Sequence, residues 1–129
     1  TLSGTSANTY TGGTVIDAGT VILGKSAGVT ALPGAVTVGD GSGSATLRLA
    51  AANQIADGSR VTLAASGAPV FDLAGHAETI GSLASANAGA SVTLGSATLT
   101  TGADNSSTAF AGVISGTGGL TKQGTGVFT

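Results

Sequence analysis

The chain has 129 residues, of which 41% are hydrophobic, 8% are charged and 23 are glycine, and its formal net charge is −2. The length suits one domain with a core, and the hydrophobic content excludes a disordered segment. The four cations, Lys25, Arg48, Arg60 and Lys122, are scattered and form no basic patch for a nucleic acid. No apolar run could span a bilayer, and the lack of cysteine excludes disulfides and thiolate metal sites.

Short clusters of alternating apolar residues run along the whole chain and predict β-strands with one buried face. Turn residues such as Gly, Asn, Asp and Pro separate the clusters. No amphipathic helix is predicted, and residues 50–55 are interpreted as a loop excursion. In chain order the clusters are Val21 and Leu23, Val36 and Val38, Leu47 and Leu49, Val61 and Leu63, Phe71 and Leu73, Ile80 and Leu83, Val92 and Leu94, Leu99, Phe110, Val113 or Ile114, Leu120 and Phe128.

Residues 19–26, Gly-Thr-Val-Ile-Leu-Gly-Lys-Ser, match the P-loop pattern G-x-x-x-x-G-K-[ST]. A P-loop needs a flexible glycine loop around the phosphates and a helix that begins at the lysine. Here the four middle residues are typical of a strand, and the segment that follows, up to Pro33 and Gly34, is a poor helix. We therefore predict no ATP binding, and we expect Lys25→Ala to leave stability and assembly nearly unchanged.

The remaining polar residues predict no catalytic, cofactor-binding or metal-binding site. Asp40 lies in a Gly- and Ser-rich turn that is similar to calcium-binding repeats, but one Asp cannot supply six or more oxygen ligands. His76 has Glu78 nearby but no nucleophile or third partner, so a turn or surface position is predicted. The acids are spread singly along the chain and are interpreted as solvated residues at strand edges: Asp17, Asp40, Asp57, Asp72, Glu78 and Asp104.

The C-terminal segment of the chain, placed before the N-terminal segment, gives one continuous sequence pattern. Residues 110–129 are Phe-Ala-Gly-Val-Ile-Ser-Gly-Thr-Gly-Gly-Leu-Thr-Lys-Gln-Gly-Thr-Gly-Val-Phe-Thr, and residues 1–14 are Thr-Leu-Ser-Gly-Thr-Ser-Ala-Asn-Thr-Tyr-Thr-Gly-Gly-Thr. Joined in that order, they closely resemble the signature of the autotransporter-associated β-strand repeat, also called the passenger-associated transport repeat, of bacterial surface proteins. Thr129 then corresponds to Thr1, as in a unit cut circularly from a head-to-tail array.

This resemblance implies a right-handed parallel β-helix, exported to the outer-membrane surface or beyond the cell, with no catalytic residues. The residues themselves also favour a β-solenoid, because hairpin dipeptides such as Asn-Gly are missing and large aromatics are scarce. We expect residues 1–129 to form a single all-β unit of about five or six rungs. At about 4.8 Å per rung, it is a segment of rod nearly 30 Å long.

Three functions are compatible with such a solenoid. The first is a non-enzymatic structural repeat whose copies stack head to tail into a rod, stalk or filament. The alternatives are an adhesin passenger whose Thr and Ser ladders contact a surface glycan, and a polysaccharide-degrading β-helix. The last two are disfavoured because sugar sites usually need aromatic platforms or clustered acids. For the first we predict a junction formed by Leu2, Tyr10, Leu120 and Phe128, with Gly118 and Gly119 allowing a tight turn.

Overall fold

The computed structural model describes residues 1–129 and contains thirteen strands and no helix. The alternating apolar residues form most of these strands, because side chains at every second position can all enter one core. Segment 50–55 is a series of bends with one isolated bridge, as predicted. The strands are β1 (Leu2–Gly4), β2 (Thr14–Ile16), β3 (Gly19–Lys25), β4 (Val36–Val38), β5 (Ala45–Leu49), β6 (Arg60–Leu63), β7 (Val70–Asp72), β8 (Glu78–Ile80), β9 (Ser82–Ala84), β10 (Ser91–Thr93), β11 (Thr98–Thr101), β12 (Val113–Ser115) and β13 (Gly119–Lys122).

The strands form three parallel sheets, which we call faces and number in the order in which the chain visits them. Face 1 is the six-stranded sheet β1-β3-β5-β7-β10-β12, face 2 is β8-β11-β13, and face 3 is β2-β4-β6-β9. Every strand pair is parallel, and pairing always joins one turn to the next. The predicted β-solenoid is therefore confirmed.

The chain makes six turns, and each begins on face 1 and ends on face 3. Isolated bridges extend face 3 beyond β9, because Ser85 pairs with Phe110 and Thr108 pairs with Phe128. The residue ranges of turns 1 to 6 are 2–16, 19–38, 45–63, 70–84, 91–110 and 113–129.

The core consists of apolar side chains stacked in columns along the solenoid axis. On face 1 one column contains Leu2, Leu23 and Leu49, and it continues as Leu73 and Leu94. A neighbouring column contains Val21, Leu47, Phe71, Val92 and Ile114. Each fully buried side chain of this size contributes roughly 1.5–3 kcal/mol, so the stack is the main source of stability.

The corner between face 3 and face 1 carries three longer loops, residues 39–44, 64–69 and 86–90, which we call the corner ridge. These loops are hydrogen-bonded to one another. The hydroxyl of Ser66 donates to the carbonyl of Gly41 at 2.6 Å, and the side-chain amide of Asn87 donates to the carbonyl of Gly67 at 3.0 Å. The ridge therefore extends along the middle turns as an ordered part of the solenoid.

Candidate functional site

The two ends of the solenoid are open sheet edges. On face 1, β1 pairs only with β3 and β12 pairs only with β10. On face 2 the last strand, β13, pairs only with β11, and on face 3 the first strand, β2, pairs only with β4. The outer backbone groups of these strands thus have no ladder partner within the chain, and such edges are templates for pairing with another strand.

Large exposed hydrophobic side chains occur only in the first and last turns. Leu120 is 41% exposed although it shares a column with Leu99, which is fully buried. Leu120 therefore faces the core, and it is exposed because it lies in the last turn of residues 1–129. The full set is Tyr10 and Val15 in turn 1, and Val113, Leu120 and Val127 in turn 6.

The predicted junction residues divide between these two ends. Leu2 is half-buried in β1, and the hydroxyl of Tyr10 lies 2.7 Å from the hydroxyl of Thr14 in the same turn. Leu120 lies in β13, and Phe128 pairs with Thr108 and packs against the core. Within one copy the two residues of turn 1 are therefore five turns away from the two residues of turn 6. A contact between them requires two copies.

The two junction glycines have different surroundings. A Cβ at Gly118 would collide with the carbonyl oxygen of Ala97 in the preceding turn, so this chain's own packing already requires glycine there. Gly119 begins β13, and a Cβ added there would meet the side chain of Thr98 at an ordinary 3.5 Å. Of the two positions, only Gly118 needs glycine for packing within one copy.

The P-loop match is part of β3, so its four middle residues are a strand as predicted. Lys25 differs from expectation, because it is only 7% exposed. Its ammonium group donates to the carbonyls of Ser6 at 2.8 Å and Ser3 at 3.3 Å, and so fastens turn 1 to turn 2. These contacts contradict the basis for expecting a neutral Lys25→Ala. The substitution is now expected to destabilise the chain.

Glu78 is also buried, at 1% exposure, so its assignment as a solvated edge residue was wrong. Its carboxylate accepts hydrogen bonds from the backbone N–H groups of Gln54 at 2.7 Å, Thr79 at 3.1 Å and Ile55 at 3.3 Å. The side chain of Gln54 in turn accepts from the N–H of Lys25 at 2.9 Å. We call Lys25, Gln54 and Glu78 the polar line. It connects turn 4 to turn 1 through the interior.

The alternation of the sequence contained a signal for the polar line. Lys25 shares the inward side of its strand with Leu23, and Glu78 shares the inward side of its strand with Ile80. Gln54 lies in an irregular segment of bends, where the sequence pattern gives no indication that its side chain is buried. Burial raises the pKa of Glu78 to about 7, although three backbone N–H groups oppose the shift; the nearby charge of Asp57 raises it further.

The other acids lie apart from one another; Asp17 and Asp57 are exposed as predicted, and the remaining three have local partners. Asp72 forms an ion pair with Arg48 at 3.5 Å, and Asp104 accepts from the hydroxyl of Ser82 at 2.6 Å. The N–H and hydroxyl of Ser42 hold the pKa of Asp40 below its ordinary value. His76 lies in the turn after β7, as predicted. No group of three or more His, Asp or Glu side chains is arranged to hold a metal ion, and no pocket is present.

Comparisons with protein-family models, characterised proteins and solved structures find no match. The chain also has no helix long and apolar enough to cross a membrane. The distinctive surfaces are therefore the two ends of the solenoid. What they offer chemically is backbone hydrogen bonding along the edges and apolar contact with the uncovered columns.

Proposed function

We propose that this chain is a non-enzymatic structural repeat of a bacterial extracellular or cell-surface protein, in which copies stack end to end into a rod, stalk or filament. The observation that carries the proposal is that Leu120 faces the core but is 41% exposed at the open edge of turn 6, whereas Leu99, its partner in turn 5, is fully buried. A chain that functioned as an isolated unit would gain from polar residues at its ends, as terminal repeats of solenoids usually have.

The unpaired backbone groups at the two ends of the solenoid support the proposed stacking. On faces 1 and 3 the N-terminal edge and the C-terminal edge each have unpaired backbone groups beside an apolar core, and each can pair with the other. The two ends are different surfaces, so the contact is heterologous and does not close into a dimer. It leaves one free end of each kind and therefore propagates along the axis.

The bacterial surface location rests on the sequence resemblance. The permuted phrase formed by residues 110–129 and 1–14 resembles the signature of a repeat found in exported bacterial proteins, and a parallel β-solenoid is the fold that this resemblance implies. The absence of cysteine is compatible with export.

Sedimentation and electron microscopy of the purified unit test the proposal. The wild-type chain should form elongated assemblies whose length increases with protein concentration. Leu120→Lys should abolish them, because a lysine at this inward position would bury an unpaired charge in the contact, which costs several kcal/mol, roughly 3 or more.

Ala88→Lys is the matched control, since it adds the same charge at an exposed position in the corner ridge, away from both ends. It should assemble like the wild type. A wild-type chain that remains monomeric at high concentration, with Leu120→Lys behaving identically, would exclude end-to-end stacking.

A further inference from the structure

We infer that the contact between copies has one register, in which each face of one copy continues as the same face of the next. In this register Leu2 of the following copy lies over Gly116, and Thr14 of the following copy lies over Phe128. The inference rests on the proposed end-to-end stacking. It adds which residues meet and how the two copies are rotated about the axis.

Face 1 supports this register through its column of leucines. The ladder that pairs Asp72 with Thr93 and Thr93 with Ser115 places Gly116 next in the column after Leu94. The column therefore has leucine in its first five turns and glycine in its last. Leu94 is 4% exposed beneath Gly116, which has no side chain to extend the column. Leu2 of a following copy would lie one strand beyond Gly116 and continue the leucine column.

Face 3 supports the same register with the sizes reversed. Its column begins with Thr14, which pairs with Val36, and ends with Phe128, which pairs with Thr108. Here the small side chain is in the first turn and the large one is in the last. Across the contact Thr14 of the following copy covers the outer side of Phe128, which is only partly buried within one copy.

The path of the chain fits this rotation. Each turn begins on face 1 and ends on face 3, and six turns are complete at Thr129. A following copy that begins on face 1 thus repeats the step already made from Ile16 to Gly19 inside the chain. A copy rotated by one face would instead set Leu2 over Leu120 or Phe128, and the leucine column of face 1 would not resume beyond Gly116.

Cysteine cross-linking can measure the register, because the natural chain has no cysteine. The outward column of face 1 that contains Ile22, Arg48, Asp72, Thr93 and Ser115 begins, by extension of the ladder, at Thr1. In the inferred register Thr1 of one copy is directly opposite Ser115 of the preceding copy. Neighbouring parallel strands are about 4.8 Å apart, within the range that a disulfide can bridge.

The experiment mixes isotope-labelled Ser115→Cys with unlabelled Thr1→Cys, Ser3→Cys or Val15→Cys under mild oxidation, and counts mixed dimers by mass spectrometry. Ser3 is on the same face but two residues along, and Val15 is exposed on face 3. The mixed dimer with Thr1→Cys should form about tenfold faster than with either control, because only that pair has disulfide geometry.

Each other outcome overturns the register. Fastest linkage with Ser3→Cys indicates a slip of two residues, and fastest linkage with Val15→Cys indicates a rotation between faces. Equal rates for all three, or dominant Ser115→Cys homodimers, indicate a different kind of contact. Because assembly of the unmodified chain is measured separately, elongated assemblies with the wrong cross-link reject the register alone, whereas absence of assemblies rejects the proposed function.

Discussion

Face 2 is built in two different ways along the solenoid. In turns 4 to 6 it is the sheet β8-β11-β13, held by a regular parallel ladder. In turns 1 to 3 this face has no regular strand; the only ladder element is an isolated bridge between Leu32 and Ile55. There the backbone bonds between turns are irregular, and side chains add to them: Asn8 donates to the carbonyl of Ala31 at 2.8 Å, and Gln54 and Glu78 accept N–H groups of neighbouring turns.

The difference shows that buried polar side chains can supplement irregular backbone bonding where a regular strand is missing. A ladder depends on backbone geometry and tolerates many side chains, whereas the polar line depends on the identity of a few residues. The C-terminal half of face 2 should therefore be sensitive to changes in the backbone, and the N-terminal half to changes in polar side chains.

The largest expected effect is a proline in the central strand of the regular half. Thr100→Pro removes a ladder hydrogen bond from β11, which has neighbours on both sides, and should lower the free energy of unfolding by about 4 kcal/mol. Ala51→Pro, in the bends of the other half, should cost about 1 kcal/mol or less. Urea unfolding followed by circular dichroism measures both. Equal losses would show that the bends are as constrained as the ladder.

The second largest expected loss of stability comes from removing the buried side-chain amide of Gln54. Gln54→Leu leaves the buried N–H of Lys25 without a partner, and it removes the amide donor to the carbonyls of Ser26 and Ala52, which keep only their backbone donors. The substitution should cost about 3 kcal/mol. Thr121→Val, an exposed change in β13 that keeps the branched shape, should cost less than about 0.5 kcal/mol. If the two substitutions destabilise alike in urea titrations, the polar line is not what holds the first three turns.

The buried carboxyl of Glu78 should make stability depend on pH. Its pKa is raised to about 7 in the folded chain from an ordinary 4.5, so between these values the folded state binds more protons than the unfolded state. The contribution of Glu78 to stability is therefore largest at pH 5 and below and falls as pH rises from about 5 to 8, by about 2.5 kcal/mol for a shift of this size. Urea midpoints measured across this range test the sign.

Two variants identify the group. Glu78→Gln cannot ionise and should flatten the dependence, at the cost of lower stability at pH 5, because its amide faces backbone donors. Asp57→Asn removes the neighbouring charge and should preserve most of the slope. A wild-type chain whose stability increases between pH 5 and 8 would show that the three N–H groups outweigh the cost of burial.

The smallest expected difference compares the two lysines of the terminal turns. Lys25→Met removes the donor to the carbonyls of Ser3 and Ser6 and should cost about 2 kcal/mol. Lys122 donates to the carbonyls of Gln123 and Gly124, but it is exposed, and Lys122→Met should cost less than about 0.5 kcal/mol. Hydrogen exchange should also show turn 1 opening more readily in Lys25→Met. Unchanged exchange there would remove the assigned role of this ammonium group.

Most of the fold could be predicted from the sequence. In the strands of faces 1 and 3, apolar residues occur at every second position, and only a β-strand places such residues on one side. Val36 and Val38, or Val61 and Leu63, place both large side chains on one side of a short strand between turns. Parallel pairing was also predictable, since hairpin dipeptides are missing and the ends of the chain read as continuous.

The polar line could not be predicted in the same way. Alternation places Lys25 and Glu78 on the inward side of their strands, but nothing local shows that Glu78 is needed to cap the backbone of Gln54, a residue far away in sequence. That need arises only when the bends of turn 3 are stacked on β8. The edge strands at the two ends, in contrast, were predictable, because every rung of a solenoid pairs only with its neighbours and the first and last rungs of residues 1–129 have one neighbour each.

The corner ridge gives the solenoid a long spacing that its strands do not have. The ladder repeats every 4.8 Å or so along the axis, and by itself has no larger period. The ridge is confined to the loops 39–44, 64–69 and 86–90, while the corners after Ile16 and Phe110 are short. In a filament of the proposed kind this ridge recurs once per copy, that is, once every six turns. Aligned fibres would then diffract at about 29 Å along the axis as well as at the strand spacing.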